Sequence, residues 1–397
     1  MNGRGDCVKK ALPILGAALL IVYLGGCMED PNPVGGGLLP RNDFLEIDSL
    51  STLATGIGSI RAIPLHLSSG RILIGKLNDI EAWSVLLFSG FPDTLESKTI
   101  VGVDISLRAR YHFGDSLAPY SLAAHQVLTA WGQDSLTIDS VRAAGFYQTN
   151  PMASPNFGSV HDTATITIPL DTAVVRSWIL TVGDSVTTNF GVLLRPTNSA
   201  VLKGFGSFAE LEEANQPTLR IRTVRTGSTQ IDTVNISTGI FRSVATMADK
   251  GWGNDNNHIH IQNGVSYRGS VTFDAVKLLP PRAAIHQAML ELTLDADASQ
   301  RNSYTRDSVY AYFVDETGKA TGSLYTLSAA EDRNGSRIFK LAITRFVQEW
   351  VRRSTYPQTV VIVGEQESSA FDHFAMHGLT ASPALQPKLK ISYSPVE

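Results

Sequence analysis

The chain has 397 residues, of which 43% are hydrophobic and 18% are charged, and its formal net charge is −4 at pH 7. This mildly acidic balance argues against non-specific nucleic-acid binding, which needs a basic surface. The sequence has two cysteines, Cys7 and Cys27, so neither a disulfide framework nor a cluster of thiolate metal ligands is expected.

A secretory signal peptide is predicted at the N-terminus. Its basic start contains Arg4, Lys9 and Lys10, and an apolar run follows over residues 11–23. A basic segment ahead of a short apolar segment is the layout of a signal peptide. The alternative is a membrane-spanning helix, but such a helix needs about 20 apolar residues, more than this run supplies.

The run Leu24-Gly25-Gly26-Cys27 closes this segment. It resembles the lipobox of bacterial lipoproteins. The resemblance implies that residues 1–26 are removed and that the Cys27 thiol is acylated. It also implies that the lipid attaches the mature chain to the outer membrane.

The residues behind Cys27 indicate a tether that faces the cell surface. Glu29 and Asp30 resemble the acidic export signal of Bacteroidetes-type lipoproteins, although the same two acids also suit a solvated tether. Residues 30–40 resemble the start of an uncharacterised Bacteroidetes lipoprotein family. Because prolines and a run of three glycines stand in this stretch, we predict a flexible spacer over residues 27–44.

Beyond the spacer, short apolar runs with a period of two recur between turn residues. In residues 100–111, for example, Val103, Ile105 and Leu107 alternate with polar side chains. This period is typical of half-buried strands. Many short strands separated by Gly, Asn and Asp favour a β-sandwich or jelly roll over βαβ units.

Sequence repeats indicate that the folded part is a tandem pair. Gln216-Pro217 recurs as Gln386-Pro387, and a short apolar helical stripe with a tryptophan, Trp178 or Trp350, precedes each. We therefore predict an all-β fold of two tandem jelly-roll-like β-sandwiches. Each has a short helix, and the tryptophan of each helix packs against a sheet. The predicted domains are 45–225 and 226–397.

The same ordered segments resemble exported bacterial β-sandwich modules of the DNRLRE type, which are related to carbohydrate-binding modules. The matching segments in the second half are 269–274, 343–350 and 387–393, and those in the first half include 128–137 and 190–194. The second half has no counterpart of residues 131–137, and Ile138 stands where the module usually has tryptophan. The resemblance implies polysaccharide as a ligand class.

A polar cluster over residues 251–260 is the candidate metal site. On a strand, His258 and His260 would project from one face and, with Asp255, share a transition metal. Oxygens of Asn254, Asp255 and Asn256 would instead suit calcium. A plain turn followed by an exposed strand is the third interpretation, since Asn and Asp are common turn residues.

No catalytic residue is predicted. Asp372, His373 and His377 stand close together, but the sequence contains neither a Gly-x-Ser-x-Gly elbow nor a His-Glu-x-x-His helix. Exposed aromatic rings are the alternative route to a ligand, because their flat apolar faces stack on sugars. The candidates for this role are Trp83, Trp131 and Trp252.

The sequence thus predicts a non-catalytic lipoprotein on the cell surface that serves as a binding or structural module, with polysaccharide the leading ligand. A polysaccharide-degrading enzyme on the same sandwich and an envelope scaffold without a small ligand are the alternatives. The predicted partners are the membrane, through the N-terminal lipid, and polysaccharide or other envelope proteins. No cofactor is predicted apart from the calcium alternative.

Overall fold

A computed structural model describes residues 47–61, 70–180, 189–302, 307–333 and 335–395. Within these ranges the chain forms two curled antiparallel sheets of eleven strands each, with few helices. The predicted all-β fold of two β-sandwiches is therefore confirmed. Cys27 and its spacer lie outside the described residues. Among the described residues, none of the helices combines the length and the hydropathy that a membrane span requires.

One sheet, which we call the N-terminal sandwich, consists of the strands β3 Arg71–Leu77, β4 Ile80–Phe88, β5 Thr99–Gly114, β6 Pro119–Gln126, β7 Asn156–Ser159, β8 Thr165–Pro169, β9 Val192–Pro196, β10 Val201–Gly206, β11 Thr218–Val224, β12 Ile231–Ile236 and β13 Gly239–Thr246. They run in the order β12-β11-β5-β10-β3-β4-β9-β6-β7, with β13 also paired to β4 and β8 to β5. The long strand β5 joins the two layers, because its first part pairs with β8 and β11 and its last part with β10.

The other sheet, the C-terminal sandwich, consists of the strands β1 Asp48–Leu53, β2 Gly56–Arg61, β14 His258–Gln262, β15 Tyr267–Thr272, β16 Ala284–Thr293, β17 Ser308–Val314, β18 Ala320–Arg333, β19 Ser336–Ala342, β20 Thr359–Gly364, β21 His373–His377 and β22 Lys388–Ser394. They run in the order β1-β22-β16-β19-β18-β17-β20-β15-β14-β21, with β2 also paired to β15. Here β18 joins the layers, pairing first with β17 and then with β19.

Among the residues that the structure describes, three α-helices accompany the strands: α1 Ile138–Arg142, α2 Thr172–Leu180 and α3 Thr344–Arg352. In the same ranges four short 3-10 helices lie at Asp93–Leu95, Glu213–Asn215, Trp252–Asn254 and Ala275–Leu278. The predicted tryptophan helices are α2 and α3. Trp178 is 2% exposed in the core of the N-terminal sandwich, and Trp350 is fully buried in the core of the C-terminal one.

The strand pairing crosses the predicted boundary between residues 225 and 226. Strands β12 and β13 follow residue 225 but belong to the N-terminal sandwich, whereas β1 and β2 precede that sandwich and belong to the C-terminal one. The pairing of β13 with β4 extends from Gly239 opposite Phe88 to Thr246 opposite Glu81. The N-terminal sandwich is thus inserted into the chain of the C-terminal one. The prediction of two domains at 45–225 and 226–397 does not match these hydrogen-bonded sheets.

An apolar cluster connects the two sandwiches. Leu73, Tyr111 and Phe113 of the N-terminal sandwich pack with Val265 and Phe371 of the C-terminal one. Because these side chains are buried, separating the sandwiches would expose apolar surface at a cost of about 25 cal/mol per Å².

Candidate metal centre and aromatic surfaces

Four of the nine histidines of the chain meet on one face of strands β14 and β21. The two strands are antiparallel, and His258 stands directly opposite His377. His260 and His373 lie further along the same face, since alternate residues of a strand share a face. Ile259 and Ile261 point the other way, into the core. His258 and His260 therefore project from the same face of β14.

The loop before β14 brings Asp255 to this face. Gly251 has a φ of 67°, a left-handed conformation that favours glycine, and it precedes the 3-10 turn Trp252–Asn254. The Asp255 Oδ1 atom accepts a hydrogen bond from the amide of Asn257 at 2.8 Å. Its Oδ2 atom lies 2.8 Å from Nε2 of His260 and 3.7 Å from Nδ1 of His258. The predicted turn therefore exists, and it orients the carboxylate toward the histidines.

Asp295 reaches the other side of His258. It follows β16, and its amide donates to the carbonyl oxygen of Ala375 on β21 at 2.8 Å. The Asp295 Oδ2 atom lies 2.9 Å from Nε2 of His258 and 3.8 Å from Nδ1 of His377. Its Oδ1 atom accepts from the amides of Asp297 and Ala298. Each ring nitrogen of His258 thus faces a different carboxylate.

Trp252 covers the inner part of this group of side chains. Its ring stacks on His260, with centroids 4.4 Å apart and planes 14° apart, and on His373, with 4.8 Å and 10°. Tyr267 meets the Trp252 ring edge-on at 5.0 Å. Trp252, predicted as a candidate ligand surface, is therefore occupied by protein rings on its stacking face.

The electrostatics of the cluster follow from burial and from the two carboxylates. Burial lowers the pKa of His373 to about 3, and the neighbouring His260, His258 and Lys250 act in the same direction. Burial also lowers the pKa of His260, although Asp255 opposes that shift. These two histidines are therefore neutral near pH 7.

Both carboxylates are ionised near neutral pH. Burial raises the pKa of Asp255, but the hydrogen bond from His260 and the amide of Asn257 outweigh it, so the net shift is downward. The hydrogen bond from His258 lowers the pKa of Asp295. Neutral imidazoles and ionised carboxylates are the forms in which these groups bind metals.

Two sets of three metal-ligand side chains result, and His258 belongs to both. One set is Asp255, His258 and His260, and the other is His258, Asp295 and His377; within each set all ligand atoms lie within 4.8 Å of one another. Two nitrogens and one oxygen suit zinc, copper or nickel better than calcium, which prefers oxygen ligands. The predicted set of Asp255, His258 and His260 is thus brought together, and metal binding there stays a prediction.

Sequence reasoning missed Asp295 altogether and assigned no site to His373 and His377. The even spacing of 258 with 260 and of 373 with 377 places each pair on one strand face, which the sequence does signal. Nothing in the sequence indicates that β14 pairs with β21 in the register that sets His258 opposite His377.

The other predicted aromatic candidates occupy different places. Trp83 is only 5% exposed, and its indole N–H donates to Glu81, so it offers little surface to a ligand. Trp131 is half-buried, and its N–H donates to the carbonyl oxygen of Phe190 at 2.8 Å. It lines a cavity of about 350 Å³ together with Leu136 and Phe146. That volume lies at the lower end of the range of ligand pockets, which is about 300–1,000 Å³.

A cluster of three tyrosines lies on the outer face of the C-terminal sandwich. Tyr310 and Tyr312 alternate along β17, and Tyr325 of β18 stands opposite Tyr312. Their ring centroids are 5.7–5.9 Å apart, and Tyr325 is 55% exposed. We call these three residues the tyrosine platform. Sequence reasoning missed it, although the alternation of Tyr310 and Tyr312 is visible in the sequence.

Tyr310 also lines a polar groove between the two sandwiches. Its volume is about 470 Å³. The residues that line it are mostly charged or polar and come from both sandwiches: Gly70, Arg71, Arg110, Glu210, Tyr310, Glu365, Gln366 and Ser369. We call it the inter-sandwich groove.

No family model matches the chain, and no curated protein matches its sequence. Among solved structures, the chain is similar to a "putative secreted protein" from Parabacteroides distasonis, with 9% sequence identity and a TM-score of 0.21 over 88% of this chain and 100% of that one. It is also similar to the VP2 subviral particle of infectious bursal disease virus, with 10% identity and a TM-score of 0.14 over 90% of this chain and 79% of that one. At these TM-scores neither likeness carries an argument, and the lipobox and DNRLRE resemblances stay predictions.

Proposed function

We propose that the chain is an exported, lipid-anchored binding module without catalytic activity. The support for export and anchoring is the basic and apolar N-terminal segment that ends at Cys27. The proposed place is the outer membrane, with the sandwiches facing the cell surface.

The proposed ligand is polysaccharide, and the tyrosine platform is the observation that carries this proposal. Tyr325 exposes its ring beside those of Tyr310 and Tyr312, which sit over the buried side chains of Val361 and Val363. Exposed flat rings with a polar edge suit the apolar faces of sugar rings. Three adjacent rings suit a chain of sugars better than a single small molecule.

The inter-sandwich groove supplies polar partners next to the platform. Tyr310 belongs to both, so a chain that stacks on the tyrosines continues into a groove lined by Arg110, Glu210 and Glu365. Charged and amide side chains donate to and accept from sugar hydroxyls. The apolar platform thus accounts for affinity, and the groove accounts for orientation.

A glycan array with residues 28–397 tests the proposal, and the affinity of any glycan that binds is then measured by calorimetry. Tyr325→Ala is expected to weaken binding about fivefold to tenfold, the loss of roughly 1 kcal/mol of ring contact. Leu211→Ala is the matched control, since Leu211 is fully exposed and lies outside the platform.

Three other results of these experiments would point to a different site or a different function. Loss of binding in Trp131→Ala but not in Tyr325→Ala would move the ligand to the cavity beside Trp131. A folded protein that binds no glycan on the array would contradict the polysaccharide proposal and favour an envelope scaffold. Release of shorter products from a bound polysaccharide would favour an enzyme.

Anchoring is tested separately in the bacterial host. The full chain is expected to incorporate a fatty-acid label and to fractionate with the outer membrane. Cys27→Ala is expected to lose both the label and the membrane association, with a fold unchanged by circular dichroism. Continued membrane fractionation of Cys27→Ala would contradict lipid anchoring.

A further inference from the structure

We propose that His258 is the shared ligand of a centre for two transition-metal ions. Its Nδ1 atom serves one ion with Asp255 and His260, and its Nε2 atom serves the other with Asp295 and His377. We use Zn²⁺ as the probe. This centre is independent of the proposed saccharide site and adds Asp295 and His377 to the ligands that the sequence indicates.

The distances within each set are close to those of a zinc site. With Zn–N of about 2.0–2.1 Å and Zn–O of about 2.0–2.2 Å, two ligand atoms on a tetrahedral ion lie about 3.3 Å apart. The carboxylate-to-nitrogen distances are 2.8 and 3.7 Å in the first set, and 2.9 and 3.8 Å in the second. In each set the expected spacing lies between the two measured ones, so small side-chain shifts complete the coordination.

The shared role of His258 follows from the direction of its two nitrogens. Nδ1 faces Asp255 Oδ2, and Nε2 faces Asp295 Oδ2. A neutral imidazole carries one N–H proton, so binding of ions at both nitrogens releases that proton to solvent and leaves a bridging imidazolate. Two carboxylates and one imidazolate carry a charge of −3 against the +4 of two zinc ions, so most of the cationic charge is balanced within the centre.

Residues around the ligands favour a defined site. The Nε2 atom of His373 lies 3.0 Å from Nδ1 of His260. This contact orients the His260 ring so that its own Nε2 atom is directed to the metal ion. Trp252 holds both rings by stacking. The ligands His258, Asp255, Asp295 and His377 are 22–24% exposed, which leaves ions a path from solvent. His373 is thus a positioning residue for one of the two ions.

Zinc titration of the tag-free mature chain by calorimetry, with metal counting by mass spectrometry, tests the centre. Two ions per chain are expected. Titrations near pH 8 in buffers of different ionisation heat should show that about one proton is released for each pair of ions bound. His258→Ala should lose both ions, and His260→Ala and His377→Ala should lose one each. His373→Ala should lower the affinity for one of the two ions by about 10–100-fold. His161→Ala removes an exposed histidine elsewhere and is the matched control.

Copper supplies a second measurement. The spins of two Cu²⁺ ions across one imidazolate couple, so the paramagnetic resonance signal of the protein with two ions should be weaker than twice that with one. Because a variant that fails to fold would also lose metal, His258→Gln is compared in parallel, and each variant's melting temperature is recorded without metal. A stoichiometry of zero or one, or two ions retained in a folded His258 variant, would overturn the shared centre.

Discussion

The backbone amide of Phe371 donates a hydrogen bond to the hydroxyl of Tyr111 at 2.8 Å, and this bond connects the C-terminal sandwich to the N-terminal one. Both residues are fully buried. Burial raises the pKa of Tyr111 well above its ordinary value, so the hydroxyl keeps its proton. Arg71 lies over the Tyr111 ring and donates to the carbonyl oxygen of Ser369, which adds a second polar link between the sandwiches.

Tyr111→Phe is expected to destabilise the protein by about 1–3 kcal/mol, because the buried amide of Phe371 loses its acceptor while the ring volume is kept. Urea unfolding of both proteins measures the change in free energy of unfolding. Tyr325→Phe is the matched control, since that hydroxyl belongs to an exposed ring. Equal destabilisation by the two substitutions would contradict a structural role for the bond.

The N-terminal sandwich is inserted into the chain of the C-terminal one, and this arrangement predicts which fragments of the chain fold by themselves. A fragment of residues 70–246 contains all eleven strands of the N-terminal sandwich, whereas residues 45–225 lack β12 and β13 and carry β1 and β2 without their partners. Loss of β13 removes Phe241 and Val244, which are buried in the complete protein, and leaves β4 without this strand as its partner. We expect a cooperative thermal transition for 70–246 and none, or one at a much lower temperature, for 45–225. A sharper transition for 45–225 would contradict the strand assignment.

Local pattern predicted the secondary structure, because strands and helices depend on neighbouring residues. In β5, Val103, Ile105 and Leu107 are all buried as their alternation predicts, whereas Val101 at the end of the same stripe is exposed. The sequence does not report which strands pair across long separations. For this reason the boundary at 225/226 conflicts with the pairing of β13 with β4, although the prediction of two sandwiches is confirmed.

The candidate metal centre could be predicted from the sequence only in part, for the same reason. Asp255, His258 and His260 are near in sequence and could be grouped by spacing alone. Asp295 and His377 join them only because β14 pairs with β21 and because the amide of Asp295 is fixed to Ala375. The tyrosine platform likewise depends on β17 pairing with β18, which brings Tyr325 beside Tyr312.

Trp350 tests how much the short helix α3 contributes to the fold. Its side chain is fully buried between α3 and the sheet, with Phe346 and Val347 beside it in the core. Trp350→Ala is expected to cost about 3–5 kcal/mol, the lost burial plus the cavity left behind. Chemical denaturation measures the loss, and Leu211→Ala should change the free energy of unfolding by less than about 0.5 kcal/mol. A similar small effect for both would contradict the packing of α3.

The lowered pKa values of His373 and His260 make the metal-free protein sensitive to mild acid. The unfolded chain protonates His373 near its ordinary pKa of about 6.5, but the folded chain does so only near a pKa of about 3. Within this window the unfolded state binds more protons, so stability falls as the pH falls. The titration of His373 alone should lower the free energy of unfolding by about 2 kcal/mol between pH 7 and pH 5. The lowered pKa of His260 acts in the same direction.

The measurement is urea unfolding at pH 7, 6 and 5 in the presence of a chelator, which keeps metal from masking the titration. In His373→Gln the loss of stability over this range should be smaller by about 2 kcal/mol, whatever the stability of the variant at pH 7. The Asp255 and Asp295 carboxylates do not disturb the comparison, because the stability that comes from their lowered pKa values is lost only below about pH 5. His161→Gln, at an exposed histidine outside the cluster, is measured in parallel as the matched control. An unchanged slope in His373→Gln would show that His373 titrates alike in the folded and unfolded chains, and that Trp252 and His260 do not hold it neutral.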